Sequence, residues 1–321
     1  MADTEITFAS GDVTLHGSLR LPDGVSGPVP AALLLAGSGP TDRNGDSALM
    51  PGSIGTLRFL ADTMADAGFA SLRYDKLGSG ETGLGPYEVE DVAGLGFSTF
   101  VDAAADGLDY LAAQPDVDAD RLLVVGHSEG ALVGLALAVA DDAPALAGLG
   151  LLEPLAVRLL DLLTRQINAQ VDGALGAGAL PLELADELRT ALTEAVESLR
   201  ADGTLPDDLP EPLRMAGFVP VNAKALAEED ALDPRVLAGA LPAGLPVLTS
   251  CSARDTQVAD ADVDALDVAL AAAALTSVRM TTANHVLKEI GERDSTGADY
   301  IEDLPYSAEF TAGFRNWLAG L

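Results

Sequence analysis

Two rhythms of apolar residues alternate along the chain. The short run Ala31-Ala32-Leu33-Leu34-Leu35 is uninterrupted, as for a strand covered on both faces, and Phe69-Ala70-Ser71-Leu72-Arg73-Tyr74 and Ala147-Gly148-Leu149-Gly150-Leu151-Leu152 read as further strands. Between them, residues 54–67, 97–113 and 129–140 repeat apolar positions at helical spacing, the first closing on Gly68. Residues 4–9 and 12–21 alternate apolar and polar about Ser10-Gly11-Asp12, which predicts an antiparallel hairpin at the start. Pro22 to Pro28 forms a turn cluster. The alternation returns late, with strands at 245–251 and 276–281, an Ala-rich helix at 260–274 between them and a closing helix at 307–319. Strand and helix in turn predict an α/β fold with a mostly parallel, doubly wound sheet of about eight strands, whose ligands gather at the strands' carboxyl ends.

From 155 to 240 the strand rhythm stops. Leu159–Val171 and Leu182–Leu199 have helical spacing, a Pro-rich stretch at 201–212 breaks them, and a shorter helix fits 222–230. The expected organisation is a core from 1–154 and 241–321, interrupted by a helical cap or lid at 155–240.

One run ends abruptly. Leu122-Leu123-Val124-Val125 leads into Gly126-His127-Ser128-Glu129-Gly130, and the buried-helix sequence starts at once with Ala131-Leu132-Val133. A Gly-x-Ser-x-Gly between strand and helix leaves no room for a loop, so the serine sits on a strained bend at a helix N-terminus. The flanking glycines let two backbones nearly touch. This pattern alone is weak, because glycine and serine are common in turns. It makes a demand on later sequence, however. A serine hydroxyl needs an imidazole to take its proton, and the imidazole needs an anion behind it.

That demand is met after the last two strands, by Asp255 and then His285. Without the serine, His285 would read as a core or surface histidine and Asp255 as a turn or helix-capping residue. Glu153, after the strand that follows the elbow, is a rival acid; Asp255 is preferred because its loop directly precedes the histidine's strand. His16 lies mid-strand near the N-terminus, and His127 adjoins Ser128 with a pocket-lining or structural role. The loop Ala36-Gly37-Ser38-Gly39-Pro40-Thr41-Asp42-Arg43-Asn44-Gly45-Asp46 lacks the spacing of a phosphate or dinucleotide loop. It reads as a surface loop, or as the source of a backbone N–H, near Gly37–Ser38, aimed at the serine. Glu129 N–H is the second expected donor to an oxyanion. Gly37, Gly39, Arg43 and His127 are candidate substrate contacts, and Asp42 and Asp46 are further polar residues of the loop.

Composition narrows the classes. Acidic residues outnumber basic ones 50 to 18, for a net charge of −32, which argues against nucleic acid and anionic membranes, both of which require basic patches. Such acidity fits a GC-rich genome or a salt-rich cytoplasm. A single cysteine, Cys251, excludes an internal disulfide framework or a Cys-based metal site and suits burial in its strand. No metal cluster and no cofactor motif stands out. The N-terminus lacks the apolar core of a signal peptide, and 131–140 is too short to span a bilayer. A cytoplasmic protein is expected.

The segments Ala36–Gly45, Arg73-Tyr74-Asp75-Lys76-Leu77-Gly78-Ser79-Gly80, Gly126–Gly130, Arg254-Asp255 and Asn284-His285-Val286-Leu287-Lys288 together resemble an α/β-hydrolase of the bacterial esterase, serine-aminopeptidase-like and dienelactone-hydrolase-like group. The resemblance spans the chain except the insertion. It implies Ser128 as nucleophile, His285 as base, Asp255 as its partner, and an oxyanion hole from the amides of Ser38 and Glu129. The usual His-Gly of the first loop is here Ala36-Gly37, but an amide donor needs no imidazole. The expected activity is hydrolysis of small to medium carboxylic esters through an acyl-enzyme, with a small-molecule ester as partner and without cofactor. Thioester or amide cleavage on the same triad, haloperoxidase or C–C hydrolase chemistry, and a non-catalytic receptor or scaffold are the alternatives.

Overall fold

A computed structural model describes residues 3–24 and 27–321. Positions 25 and 26 of the expected turn, and the first two residues of the expected acidic N-terminus, lie outside them. Eight strands form one sheet: β1 (Thr4–Ser10), β2 (Val13–Arg20), β3 (Val29–Leu35), β4 (Ala70–Tyr74), β5 (Val117–His127), β6 (Gly148–Leu152), β7 (Pro246–Ser252) and β8 (Ala274–Met280). Their order is β1-β2-β4-β3-β5-β6-β7-β8, antiparallel from β1 through β2 to β4 and parallel thereafter. Central strands β3 and β6, and β5 from Leu122 onward, are buried along almost their whole length, as their Val/Leu runs predict, whereas β8 alternates at its edge.

β5 starts five residues earlier than its apolar run, which begins at Leu122. Val117 pairs with Val29, a register shift follows, and the half-buried Asp118 and exposed Asp120 disguise the strand's first half. The Ala-rich helix is shorter than expected, Asp260–Ala269, and β8 begins at Ala274.

The residues divide into two compact units. The sheet unit comprises 1–86, 100–156 and 234–321; the helical unit comprises 87–99 and 157–233. Two boundaries thus differ from the expected ones. Helix Pro234–Ala240 packs on helices Asp260–Ala269 and Glu129–Ala138 and so belongs with the sheet. Residues 87–99 cluster with the helices, where Ser98 N–H donates to Glu228.

In the sheet unit, Leu57, Leu60 and Met64 of helix Thr56–Asp66 meet Phe310, Phe314 and Trp317 of helix Ala308–Leu318 and the β3/β5 side chains Leu34 and Val125. In the helical unit, Leu160 and Ile167 of helix Leu159–Gly176 pack with Leu188, Leu192 and Leu199 of helix Leu182–Asp202. Buried Asp230 ties that unit internally, accepting from Arg158, Arg200 and Leu160 N–H. Burial opposes its charge, but the Arg200 and Leu160 bonds outweigh burial and hold its carboxyl below the usual range.

Candidate active site

The parallel strands deliver the candidate residues to one edge. β3 ends at Leu35 before the Gly37–Ser38 loop, β5 at His127 before Ser128, β6 at Leu152 before Glu153, β7 at Ser252 before Asp255, and β8 at Met280 before His285. The cross-strand pairs Leu35↔Gly126, His127↔Leu152 and Leu152↔Ser250 put these ends in line.

Ser128 has φ 57° and ψ −120°, between the last residue of β5 and helix Glu129–Ala138. Its N–H donates to Leu152 O at 2.9 Å, and its carbonyl accepts from Ala131 N–H at 3.0 Å and Leu155 N–H at 3.2 Å. The flanking glycines are sterically required. A Cβ on Gly126 would run into the Gly130 carbonyl, and one on Gly130 into the carbonyls of Leu35 and Ala36. Among the described residues, positive φ outside glycine occurs at Ser128, Glu153 (44°) and Leu287 (67°). All three stand in the elbow or the loops around it, the kind of clustering expected where strain serves a site.

His285 Nδ1 and Asp255 Oδ2 lie 2.7 Å apart, with side chains 5% and 0% exposed. The other Asp255 oxygen accepts from the N–H groups of Gln257 (2.7 Å) and Val258 (3.1 Å). Burial opposes ionisation of Asp255, but the charge and hydrogen bond of His285, aided by Glu153 and Gln257, hold its carboxyl below the usual range. Asp255, rather than Glu153, is therefore the carboxylate in contact with the imidazole.

Glu153 lies close by, within 4.8 Å of both Asp255 and His285. It is fully buried, its N–H donates to Ser250 O, and Ser250 Oγ reaches its Oε1 at 3.4 Å. Burial, and next the charge of Asp255, raise its pKa well above the ordinary glutamate value. Burial and the nearby Asp255 carboxylate thus favour the protonated form of Glu153, since two buried carboxylates close together resist both being charged. Among the described residues, Glu153, Asp255 and His285 form the one group with metal-ligand types in reach of each other. The 2.7 Å His285–Asp255 contact has the length of a hydrogen bond; a metal about 2.0–2.2 Å from both donors would hold them at roughly 80°, well under the tetrahedral angle.

The loop carrying His285 is fastened from several sides. Asn284 Oδ1 accepts from the N–H groups of Val286 and Lys288, and its Nδ2 donates to Asp299 at 2.7 Å. Ser252 Oγ donates to Ala283 O. His127 Nε2 donates to the His285 carbonyl at 2.8 Å. Burial, and next the neighbouring His285, lower the His127 pKa to about 4, so its ring is neutral at pH 7 and carries its proton on Nε2. Sequence alone gave no sign of this bond between residues 158 positions apart.

An open cleft of about 640 Å3, counted out to bulk solvent, includes Gly37, Ser38, His127, Ser128 and His285 in its wall. Apolar Met50, Ile54, Leu57 and Val286 and polar Thr41, Ser47, Gln257 and Tyr300 complete much of the lining, none of them singled out by sequence. Gln257 Nε2 donates to the Tyr300 hydroxyl at 3.0 Å. Gly39 and Arg43, expected as substrate contacts, are not part of this wall. Arg43 is buried and spent elsewhere: Nη1 donates to Glu5 and Gly17 O, Nη2 to Glu81, and its backbone N–H to Asp75. Asp42 and Asp46 serve as turn builders; Asp46 accepts from Ser53, Ile54 N–H and Gly55 N–H just before helix Thr56–Asp66.

Among the described residues no helix is long and apolar enough to cross a membrane. No family model matches this sequence, and no curated protein matches it. Solved structures do. DcsB in complex with its substrate analogue superposes with a TM-score of 0.60 at 15% identity, over 99% of both chains. Proline iminopeptidase from Mycobacterium smegmatis gives 0.58 at 16%, over 99% of this chain and 98% of that one. Est1E from Butyrivibrio proteoclasticus gives 0.56 at 13%, over 99% of both chains. At such identities the likeness is one of fold, and together with the strand order it establishes that this chain has the α/β-hydrolase fold.

Proposed function

We propose that the protein is a serine hydrolase acting on small to medium carboxylic esters, with Ser128 as nucleophile, His285 as base and Asp255 as the anion behind it. The observation that carries this reading is the strained Ser128 in one cleft wall with His285, whose Nδ1 is held by a buried carboxylate. Asp255 at Nδ1 fixes the tautomer that leaves Nε2 free to accept the Ser128 proton. Ser128 Oγ then attacks the ester carbonyl, and the resulting oxyanion takes hydrogen bonds from the amides of Ser38 and Glu129. The first amides of a helix have no carbonyl one turn back to bond, so the Glu129 N–H suits that role. Collapse expels the alcohol with a proton from His285. His285 next deprotonates a water that attacks the acyl-enzyme, releasing the acid and Ser128.

The preference for esters rests on Met50, Ile54, Leu57 and Val286, which offer an apolar wall for an acyl chain beside the serine. Neighbours of the same fold include an enzyme named as a peptidase, so amides are the comparison substrate class. Initial rates on p-nitrophenyl esters of increasing chain length, against matched p-nitroanilides and acyl thioesters, test the reading. Turnover of esters far above both other series supports it; turnover of anilides alone would reassign the substrate class.

A further inference from the structure

Lys76 is one of three lysines in the chain and the first residue but one after β4. It is 8% exposed. Its ammonium reaches sideways across the end of β3 to two acceptors, the Gly37 carbonyl at 2.7 Å and Glu129 Oε1 at 2.9 Å. The Phe100 ring lies over it, 5.2 Å from Nζ to the centroid. Those acceptors belong to two separate segments, the loop after β3 and the first turn of the elbow helix. In each case the backbone carries an amide assigned to the oxyanion: Ser38 N–H shares its peptide unit with Gly37 O, and Glu129 supplies its own N–H.

We infer that Lys76 is a positioning residue for the oxyanion hole, a bolt that sets the spacing and direction of the Ser38 and Glu129 amides by holding the Gly37 carbonyl and the Glu129 side chain together. The inference rests on the proposed serine-hydrolase reading. In a trans peptide the C=O and N–H point opposite ways, and the described peptides are trans. An ammonium on the Gly37 carbonyl therefore turns the Ser38 N–H away from Lys76. The two sides are distinct in the structure. Lys76, Glu129, Ala36 and Phe100 line a small hollow, whereas Gly37, Ser38 and Ser128 line the cleft. Thr41 Oγ1 fixes the next carbonyl, Ser38 O, at 2.8 Å. Helix stability does not account for the lysine, because a cation beside a helix N-terminus opposes the helix dipole. Preorganised donors, by contrast, stabilise a developing oxyanion only if they are already aimed when it forms. Without the bolt, a loop containing Gly37 and Gly39, the latter at φ 68°, has freedom to swing.

The test compares wild type with Lys76→Met, which keeps the stem and removes the ammonium. Kinetics on a p-nitrophenyl ester, the rate of fluorophosphonate labelling and the affinity of an alkyl boronic acid are read together. Losing donor alignment lowers kcat on the order of 10- to 100-fold with KM nearly unchanged, since the oxyanion forms after substrate binds. Labelling rate and boronate affinity fall with kcat, while the final extent of labelling stays complete. An equal kcat, or a loss confined to KM, overturns the inference. If Lys76→Met does not fold, Glu129→Ala takes its place, since that side chain is 13% exposed and its removal leaves the amide in place; the same kcat-selective loss supports the inference, and an unchanged kcat overturns it. A wild type that neither labels, binds boronate nor turns over removes the underlying reading, and the inference with it.

Discussion

Asp255 Oδ2 sits 2.7 Å from His285 Nδ1, and buried Glu153, its pKa raised by burial and by the Asp255 charge, lies within 4.8 Å of both. The two carboxyls are pushed in opposite directions, Asp255 below its usual range and Glu153 above it. The arrangement gives the imidazole a fixed anionic partner that is itself hydrogen-bonded by the Gln257 and Val258 amides.

Replacing Asp255 by Asn keeps the shape and removes the charge. An amide at Nδ1 favours the wrong tautomer, so kcat is expected to fall on the order of 10³- to 10⁴-fold, with folding retained. Steady-state kinetics beside far-UV circular dichroism check this. A loss under tenfold would mean that the carboxylate does not act on the imidazole.

Glu153 should behave as a neutral donor, and Glu153→Gln should therefore leave activity within a few-fold of wild type. The stability profile changes instead. A glutamate whose folded pKa is raised binds its proton in the folded state over a window where the unfolded chain has released it. Its contribution is present below the unfolded value of about 4.5 and is lost as pH rises through the folded one. Gln has no proton to lose. The variant should gain stability relative to wild type as pH climbs above 4.5, which urea denaturation midpoints at successive pH values would show. Parallel profiles would contradict a protonated Glu153.

His127 gives a slope of the opposite sign. Its folded pKa is about 4 against 6.5 in the unfolded chain, so between these values the unfolded state binds the extra proton and stability rises with pH. The contribution is complete above 6.5 and is lost toward pH 4, on the order of 3 kcal/mol in all. His127→Gln can retain a donor toward the His285 carbonyl while abolishing the titration. Its denaturation midpoints should lose less than those of wild type between pH 6.5 and 4. Identical losses would show that this ring is not held neutral.

Much of this site could be read from residue order, and the failures have physical reasons. The elbow was legible because Gly126 and Gly130 answer a local steric need that leaves a mark in five consecutive residues. Asp255 and His285 were legible because strand ends recur in order along the chain. The Glu153–Asp255 contact and the His127–His285 bond were not, since each depends on side chains meeting across the sheet. Arg43 was expected at the cleft mouth because its loop is polar; the acids that capture it, Glu5, Asp75 and Glu81, come from other segments. Helix Pro234–Ala240 was assigned to the insertion because a helical pattern does not reveal which neighbour it packs on.

The same steric need makes a stability prediction. Gly130→Ala would push a Cβ into two backbone carbonyls of the neighbouring β3 end, which cannot step aside as a side chain would. Overpacking of this kind should cost about 3 kcal/mol or more. Urea denaturation gives the number, and a cost under about 0.5 kcal/mol, the level of an ordinary surface substitution, would contradict the close approach at the elbow.

The most direct measurement is intact-protein and peptide mass spectrometry after incubation with a fluorophosphonate, on wild type, Ser128→Ala and His285→Ala. The account predicts one adduct per wild-type chain, located on Ser128, with no adduct in Ser128→Ala and labelling slowed by orders of magnitude in His285→Ala. An unlabelled wild type, or a Ser128→Ala variant that labels and hydrolyses esters like wild type, would contradict it.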